Sequence, residues 1–146
     1  MTVIDRYRTR GFDCVCGNLR MASRAITRMY DEQLQPCGLR ASQLAVLWAT
    51  GALGPATVQS IARTISMDQS TLIRNLRLLE RDSLVAIAPG ADRRERIVRI
   101  TAKGRRRFER AMPLWEQAQN HVSRTLRLRS PRSVASTLLG LARAFG

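Results

Sequence analysis

Residues 67–85 read MDQSTLIRNLRLLERDSLV, and residues 92–104 read DRRERIVRITAKG. At 100° per residue, with Ile73 as zero, Leu72, Leu76 and Leu79 cluster near about 270°, while Ser70, Arg74, Arg77 and Arg81 fall between about 40° and 100°. The first stretch is therefore an amphipathic helix with a polar stripe opposite a buried one. Ile73, Leu76 and Leu79 supply the apolar positions. Ser66, with Gln69 three residues later, reads as the capping box that opens the helix, and Asp82 and Ser83 close it. In the second stretch, residues 96–100 form a short aliphatic run. A similar run at 84–88 precedes it, and residues 89–95 between them hold Pro89, Gly90, Asp92, Arg93 and Arg94. Two such runs with a polar connection predict a β-hairpin with a long charged tip.

Upstream, Phe12, Val15, Leu19, Ala22, Ile26 and Met29 recur at steps of three and four. This is the seam of a helix that ends near Gln35, before Pro36 and Gly38. A second helix, opened by Ser42, carries Leu44, Val46, Leu47 and Trp48 and is broken by Gly51, Gly54 and Pro55. A third runs from Thr57 to Ile65. Downstream, Thr101 caps a long helix through Phe108, Met112 and Trp115 towards Leu128, with a kink at Pro113 and an end at Pro131. A last helix places Val134, Leu138, Leu141 and Phe145 on one stripe. The order is four helices, a hairpin and two helices: a mainly α chain with a small β-hairpin wing, that is, a winged helix-turn-helix flanked by terminal dimerisation helices. No repeat or long linker divides residues 1–146, so they form one domain. Residues 40–100 are expected to be its DNA-binding lobe, and 1–36 and 102–146 its dimerisation helices, because their apolar stripes exceed what a winged core of about 60 residues can cover.

Composition narrows the function. The 146 residues hold 25 basic and 11 acidic side chains, a net charge of +14, and Lys103 is the only lysine. Arginine forks match phosphate oxygens and guanine edges. Residues 63–110 hold 13 basic and 6 acidic side chains, so half of the excess lies around the helix and hairpin. Hydrophobic residues make up 45% of the chain, too many for a disordered basic tail. No run approaches the roughly 20 apolar residues of a membrane span, and the charged start has no signal-peptide core. A cytoplasmic protein without a membrane partner is expected. The few aromatic residues argue against base-stacking RNA binding.

Cys14, Cys16 and Cys37 are an odd number without zinc spacing, so neither a disulfide framework nor a metal or other cofactor is expected. His121 is the only histidine and lies about a hundred residues from Cys16, without a Ser/Asp signature. An enzyme with Cys16 as nucleophile would lack an evident base. The chain is expected not to be one.

The spacing assigns roles on the winged element. Gln69, Ser70, Thr71 and Arg74 stand at the turns of a recognition helix that reach base edges, and Ser66, just before them, is a further DNA-binding candidate. Arg77 is a backbone clamp, and Arg93, Arg94 and Arg96 enter or flank the minor groove, with Asp92 orienting an arginine.

The two quoted stretches resemble the MarR family of bacterial transcription regulators, the second being similar to its wing motif. CGNLRMASRAIT at residues 16–27 is similar to the family's first dimerisation helix. The resemblance implies a homodimer bound to an inverted repeat in double-stranded DNA, usually as a repressor released by a small, often aromatic, ligand. Trp48, Trp115, His121, Arg20 and Arg24 are candidates for the effector pocket. The position of Cys16 also resembles the reactive cysteine of the family's hydroperoxide-sensing repressors, making Cys16, with Cys14 beside it, a candidate redox switch. Residues 39–44, LRASQL, have no tyrosine where those sensors carry it.

Overall fold

The computed structural model describes residue 4 and residues 13–92, 94–127 and 131–145. Phe12, Arg93 and Leu128, each used in the sequence reading, lie outside the described residues, as does most of the charged start.

Helix α1 (Val15–Leu34) begins at Cys14, whose Sγ accepts the Gly17 N–H at 3.4 Å. A 3-10 turn (Gln35–Cys37) and Gly38 at φ 68° then reverse the chain. Helix α2 (Ala41–Leu53) opens at Arg40, so Ser42 is inside the helix and does not cap it. Two backbone donors at the start of α2 find side-chain acceptors, one a carboxylate and one an amide oxygen. The Asp31 carboxylate of α1 accepts from Ala41 N–H at 2.7 Å, and the Gln43 amide oxygen accepts from Arg40 N–H at 2.9 Å. Gly51 is helical as well; the helix ends only at Gly54, with φ 71°.

A two-residue strand, β1 (Ala56–Thr57), precedes α3 (Val58–Thr64), which Thr57 caps by accepting from Ser60 N–H. Helix α4 (Gln69–Arg81) follows, then β2 (Val85–Pro89) and β3 (Arg96–Ile100). The sheet is antiparallel in the order β1-β3-β2. Ile87 and Ala56 both stand opposite Val98, and Val85 stands opposite Ile100. With a period of two, this puts Val85, Ile87, Val98 and Ile100 on the inward face.

Helix α5 (Ala102–Thr125) is capped by Thr101 and runs through Pro113 without interruption. It stops at Leu126, ahead of Pro131, and Pro131 opens α6 (Pro131–Phe145) instead of closing α5. Proline fits there because a first helical turn has no partner for its missing N–H.

Helix α2 is the hub. Leu44, Val46, Leu47, Ala49 and Thr50 are buried, and they meet Leu34, Ile61, Leu72, Leu76, Leu79, Val98 and Ala111 from the surrounding elements. The Thr50 hydroxyl donates to Val46 C=O at 2.7 Å, so its burial leaves no orphaned group. Helix α1 packs along α5, whereas α6 touches α5 only sparsely, and both bury little. Val15, Leu19, Met21 and Ile26 of α1 and Leu138, Leu139, Leu141 and Phe145 of α6 remain exposed, Phe145 at 86%.

The segment from Thr101 to Gly104 welds α5 to the exit of α4. Thr101 N–H donates to Leu84 C=O, the Thr101 hydroxyl donates to Ser83 C=O at 2.8 Å, and Lys103 Nζ donates to Asp82 C=O at 2.8 Å. Such a close approach requires glycine at 104, where a Cβ would run into the Leu84 carbonyl oxygen and Ile100. Gly104→Ala is expected to cost about 1–3 kcal/mol; a urea midpoint equal to that of the wild type would contradict this packing.

Candidate nucleic-acid interface

Asp68 caps α4. Its Oδ1 accepts from Thr71 N–H at 2.8 Å and from the Ser70 hydroxyl at 2.6 Å. These bonds hold its carboxyl well below the usual carboxylate range, the Ser70 bond being the largest cause. Ser66 lies two residues earlier in the turn, exposed and left-handed at φ 49°. The cap expected at Ser66 is therefore made by Asp68, whose side chain needs no capping box to reach an N3 amide.

Leu72, Asn75, Leu76 and Leu79 are the buried face of α4. Ile73, expected within that face, is 41% exposed. Its place is taken by a polar residue, Asn75, which sequence periodicity did not single out. The Asn75 Oδ1 accepts from the Ser42 hydroxyl of α2 at 3.0 Å, and its Nδ2 donates to Thr71 C=O at 3.0 Å. Ser70, Arg74, Arg77 and Arg81 point away from this face and are exposed. Ser70 has committed its proton to Asp68, so it offers an incoming group its lone pairs. Arg81 donates to Asp82 at 3.0 Å, an exposed pair that holds it at the helix end.

Two clefts flank the helix. On the wing side, Gln69, Ile73 and Arg77 face Arg94, Glu95 and Arg96 across a space of about 650 Å³, with Val58 and Ile87 in its walls. On the other side, Thr71 and Arg74 share a groove with Arg28 of α1 and with Arg40. The sequence reading omitted Arg28 and Arg40, because only tertiary packing of α1 and α2 brings them beside α4. At the wing tip, Asp92 Oδ1 accepts from the backbone N–H of Arg94 at 2.9 Å, while Glu95 N–H donates to Asp92 C=O. Asp92 thus shapes the turn through the Arg94 and Glu95 backbone amides. Asp is well suited to this because its short side chain closes a bond to a backbone amide two residues on. Arg93 lies outside the described residues.

A third space lies where α1, α2 and α5 meet. Trp48 and Trp115 stack edge to face there with centroids 5.4 Å apart, and Trp48 also meets Phe108 at 5.8 Å. With Ile26, Thr27, Tyr30, Ala41, Leu44 and Ala45 they line a pocket of about 290 Å³. Burial raises the Tyr30 phenol above its usual value. The exposed Arg20, Arg24 and His121 do not line this pocket. Cys14 and Cys16 are exposed at the start of α1, whereas Cys37 is half-buried and donates to Leu34 C=O.

Residues 39–104, the lobe that carries the helix and wing, match the winged helix DNA-binding domain family. The chain is 33% identical to the M. tuberculosis transcriptional regulator MosR, whose structure in complex with DNA superposes with a TM-score of 0.80 over 90% of this chain and 95% of that one. YwoH, an uncharacterized HTH-type transcriptional regulator of Bacillus subtilis, is 31% identical over 91 residues, covering 62% of this chain and 66% of that one. MarR of E. coli shares the fold with a TM-score of 0.67 at 20% identity, covering 91% of this chain and 97% of MarR. The chain belongs to the MarR family of winged-helix transcriptional regulators, which are DNA-binding proteins and not enzymes. Among the described residues, no helix is long and apolar enough to cross a membrane.

The Asp68 cap gives a pH signature. Because its folded-state pKa is depressed, its stabilisation is complete above the ordinary carboxylate value of about 4 and is lost as the pH falls below it. Asp68→Ala is expected to lower Tm by a few degrees at pH 7, and the gap to wild type should stay constant down to about pH 5, begin to narrow near pH 4 and keep narrowing as the pH is lowered further. A gap that stays constant below about pH 4 would contradict the assignment.

Proposed function

We propose that this protein is a homodimeric, sequence-specific repressor that acts in the cytoplasm on an inverted repeat in double-stranded DNA and releases it when a small aromatic ligand binds. The observation that carries the reading is the α4 surface. A helix fixed from behind by three leucines and Asn75 turns Ser70, Arg74 and Arg77 outward, with the wing arginines across one cleft. In this reading Gln69, Ser70, Thr71 and Arg74 read base edges from the first turns of α4, and Ser66 lies beside them. Arg77 contacts phosphate. Arg94, with Arg93 and Arg96, serves the minor groove, whose negative potential draws a guanidinium.

The dimer is supported by the apolar side chains that α1 and α6 leave in solvent, because contiguous exposed apolar surface of this kind marks an interface. Residues 1–36 and 102–146 would then form the dimer and 40–100 the DNA-binding lobe. A two-fold dimer of winged lobes requires half-sites about one helical turn apart.

The Trp48–Trp115 pocket supports the ligand. Its walls come from the dimerisation helices and from the hub of the DNA-binding lobe, so an occupant would alter how one sits on the other. Its volume, close to the lower end for ligand sites, suits a single aromatic ring. Arg20, Arg24 and His121 would serve only an anionic group that extended beyond this pocket. A second switch, oxidation of Cys16 by a hydroperoxide to its sulfenic acid, is favoured by the exposure of Cys16 and Cys14 at the first turn of α1.

Fluorescence anisotropy at physiological salt, on a duplex from the gene's own upstream region and on a scrambled duplex, tests the proposal. The reduced protein should prefer the native duplex by at least about a thousandfold; equal binding would overturn a sequence-specific regulator. Loss of binding on peroxide treatment that Cys16→Ser abolishes would identify the thiol switch, and release of the peroxide-treated Cys16→Ser protein would reject it. Arg94→Ala should weaken binding to both duplexes and lower the salt slope by about one; unchanged affinity would contradict the wing assignment.

A further inference from the structure

The side chains proposed to contact DNA from α4 recognise guanine, adenine or phosphate by hydrogen bonding, and among them only Thr71 also carries a methyl group. The one wholly aliphatic side chain exposed on that helix is Ile73. Leu72, Leu76 and Leu79 of the same helix are at most 2% exposed, whereas Ile73 is 41% exposed. It stands one turn after Gln69 and one turn before Arg77, both exposed, and directly precedes Arg74. In a helix, residues four apart share a face, so Ile73 continues the row made by Gln69 and Arg77.

A single exposed isoleucine is ordinary on a protein surface. This one is distinguished by its setting. One flank of its side chain lines the wing cleft together with Val58, Leu76 and Ile87, while the remainder is open to solvent. β-Branching restricts χ1 in a helix to essentially one rotamer, and the apolar wall supports the side chain from one side. The result is a stiff methyl-bearing surface presented between two hydrogen-bonding side chains. In the major groove, the one apolar feature that distinguishes base pairs is the C5-methyl of thymine, and aliphatic contact is the way proteins read it.

We infer that Ile73 is a specificity-determining residue that packs against the C5-methyl group of a thymine in each half-site. The inference rests on the proposed insertion of α4 into the major groove and adds an aliphatic contact to the hydrogen-bonding residues of the helix. No covalent step is involved; the gain comes from removing two apolar surfaces from water.

Substitution of 2′-deoxyuridine for thymine, one position at a time, tests this by deleting only the methyl group. The duplex is the one that the full-length protein selects from a random-sequence pool. For wild type, one thymine in each half-site should show about a fourfold loss of affinity on replacement, the value of one buried carbon group. Ile73→Ala, checked for folding by its melting curve, should bind the thymine and deoxyuridine duplexes equally. Ile73→Val should retain part of the difference. Specific binding without any sensitive thymine, or a penalty that persists in Ile73→Ala, would overturn the inference and leave the DNA-binding helix in place. Selection of no preferred sequence would overturn the groove-reading helix and this inference together.

Discussion

The rotation of helix α4 about its own axis is the constraint on which the rest of the structure depends. Leucines 72, 76 and 79 bury one side of it, but apolar contacts tolerate a small roll because they have no direction. Asn75 does not. Its buried amide accepts from Ser42 of α2, and a roll would break that bond and leave the Oδ1 unpaired in the interior, whereas the Nδ2 bond to Thr71 C=O lies within α4 and turns with it. The partner hydroxyl belongs to the first turn of α2, which Asp31 of α1 caps. The azimuth of α4 is thus tied through a short polar chain to α1, one of the two helices that leave apolar side chains exposed. This chain lends physical content to the idea that a change among the long helices reaches the DNA-binding surface.

Much of this was legible in the sequence, and the limits were local. The long period of residues 69–81 marked α4 because alternation of leucine and arginine over more than three turns admits no strand. The wing strand at 96–100 matched its expected bounds, and its partner shifted by one residue. The strand at Ala56–Thr57 was invisible, since two residues carry no period and their partners Ile97 and Val98 lie some forty positions away. Capping failed for a related reason. Ser66 and Asp68 both satisfy the composition rule for an N-cap, and only the left-handed turn at Ser66 decides between them. Asn75 was missed because a polar residue on a buried stripe reads as a break in pattern until its partner, thirty-three positions earlier, is in place.

The candidate site divides the same way. The arginines of α4 and of the wing could be named from spacing, as they lie on consecutive elements. Arg28 and Arg40 could not, because their proximity to Arg74 comes from the packing of α1 and α2. In the aromatic pocket, Trp48 and Trp115 were named from residue type and do meet, whereas Tyr30 entered through its place one turn after Ile26 on α1. Arg20 and Arg24 were named for their one-turn spacing, which suits an anionic group, and His121 from the resemblance, and neither spacing nor resemblance determines which side of a helix faces the joint.

Dimethyl sulfate interference on the bound operator tests the central claim most directly, because it reports major-groove contacts at guanine N7 and minor-groove contacts at adenine N3 in one experiment. Two symmetric clusters of guanine N7 interference are expected about one helical turn apart, where the two copies of α4 would lie, flanked on their outer sides by adenine N3 interference from the wings. Interference confined to the minor groove, or a single cluster without two-fold symmetry, would contradict that claim.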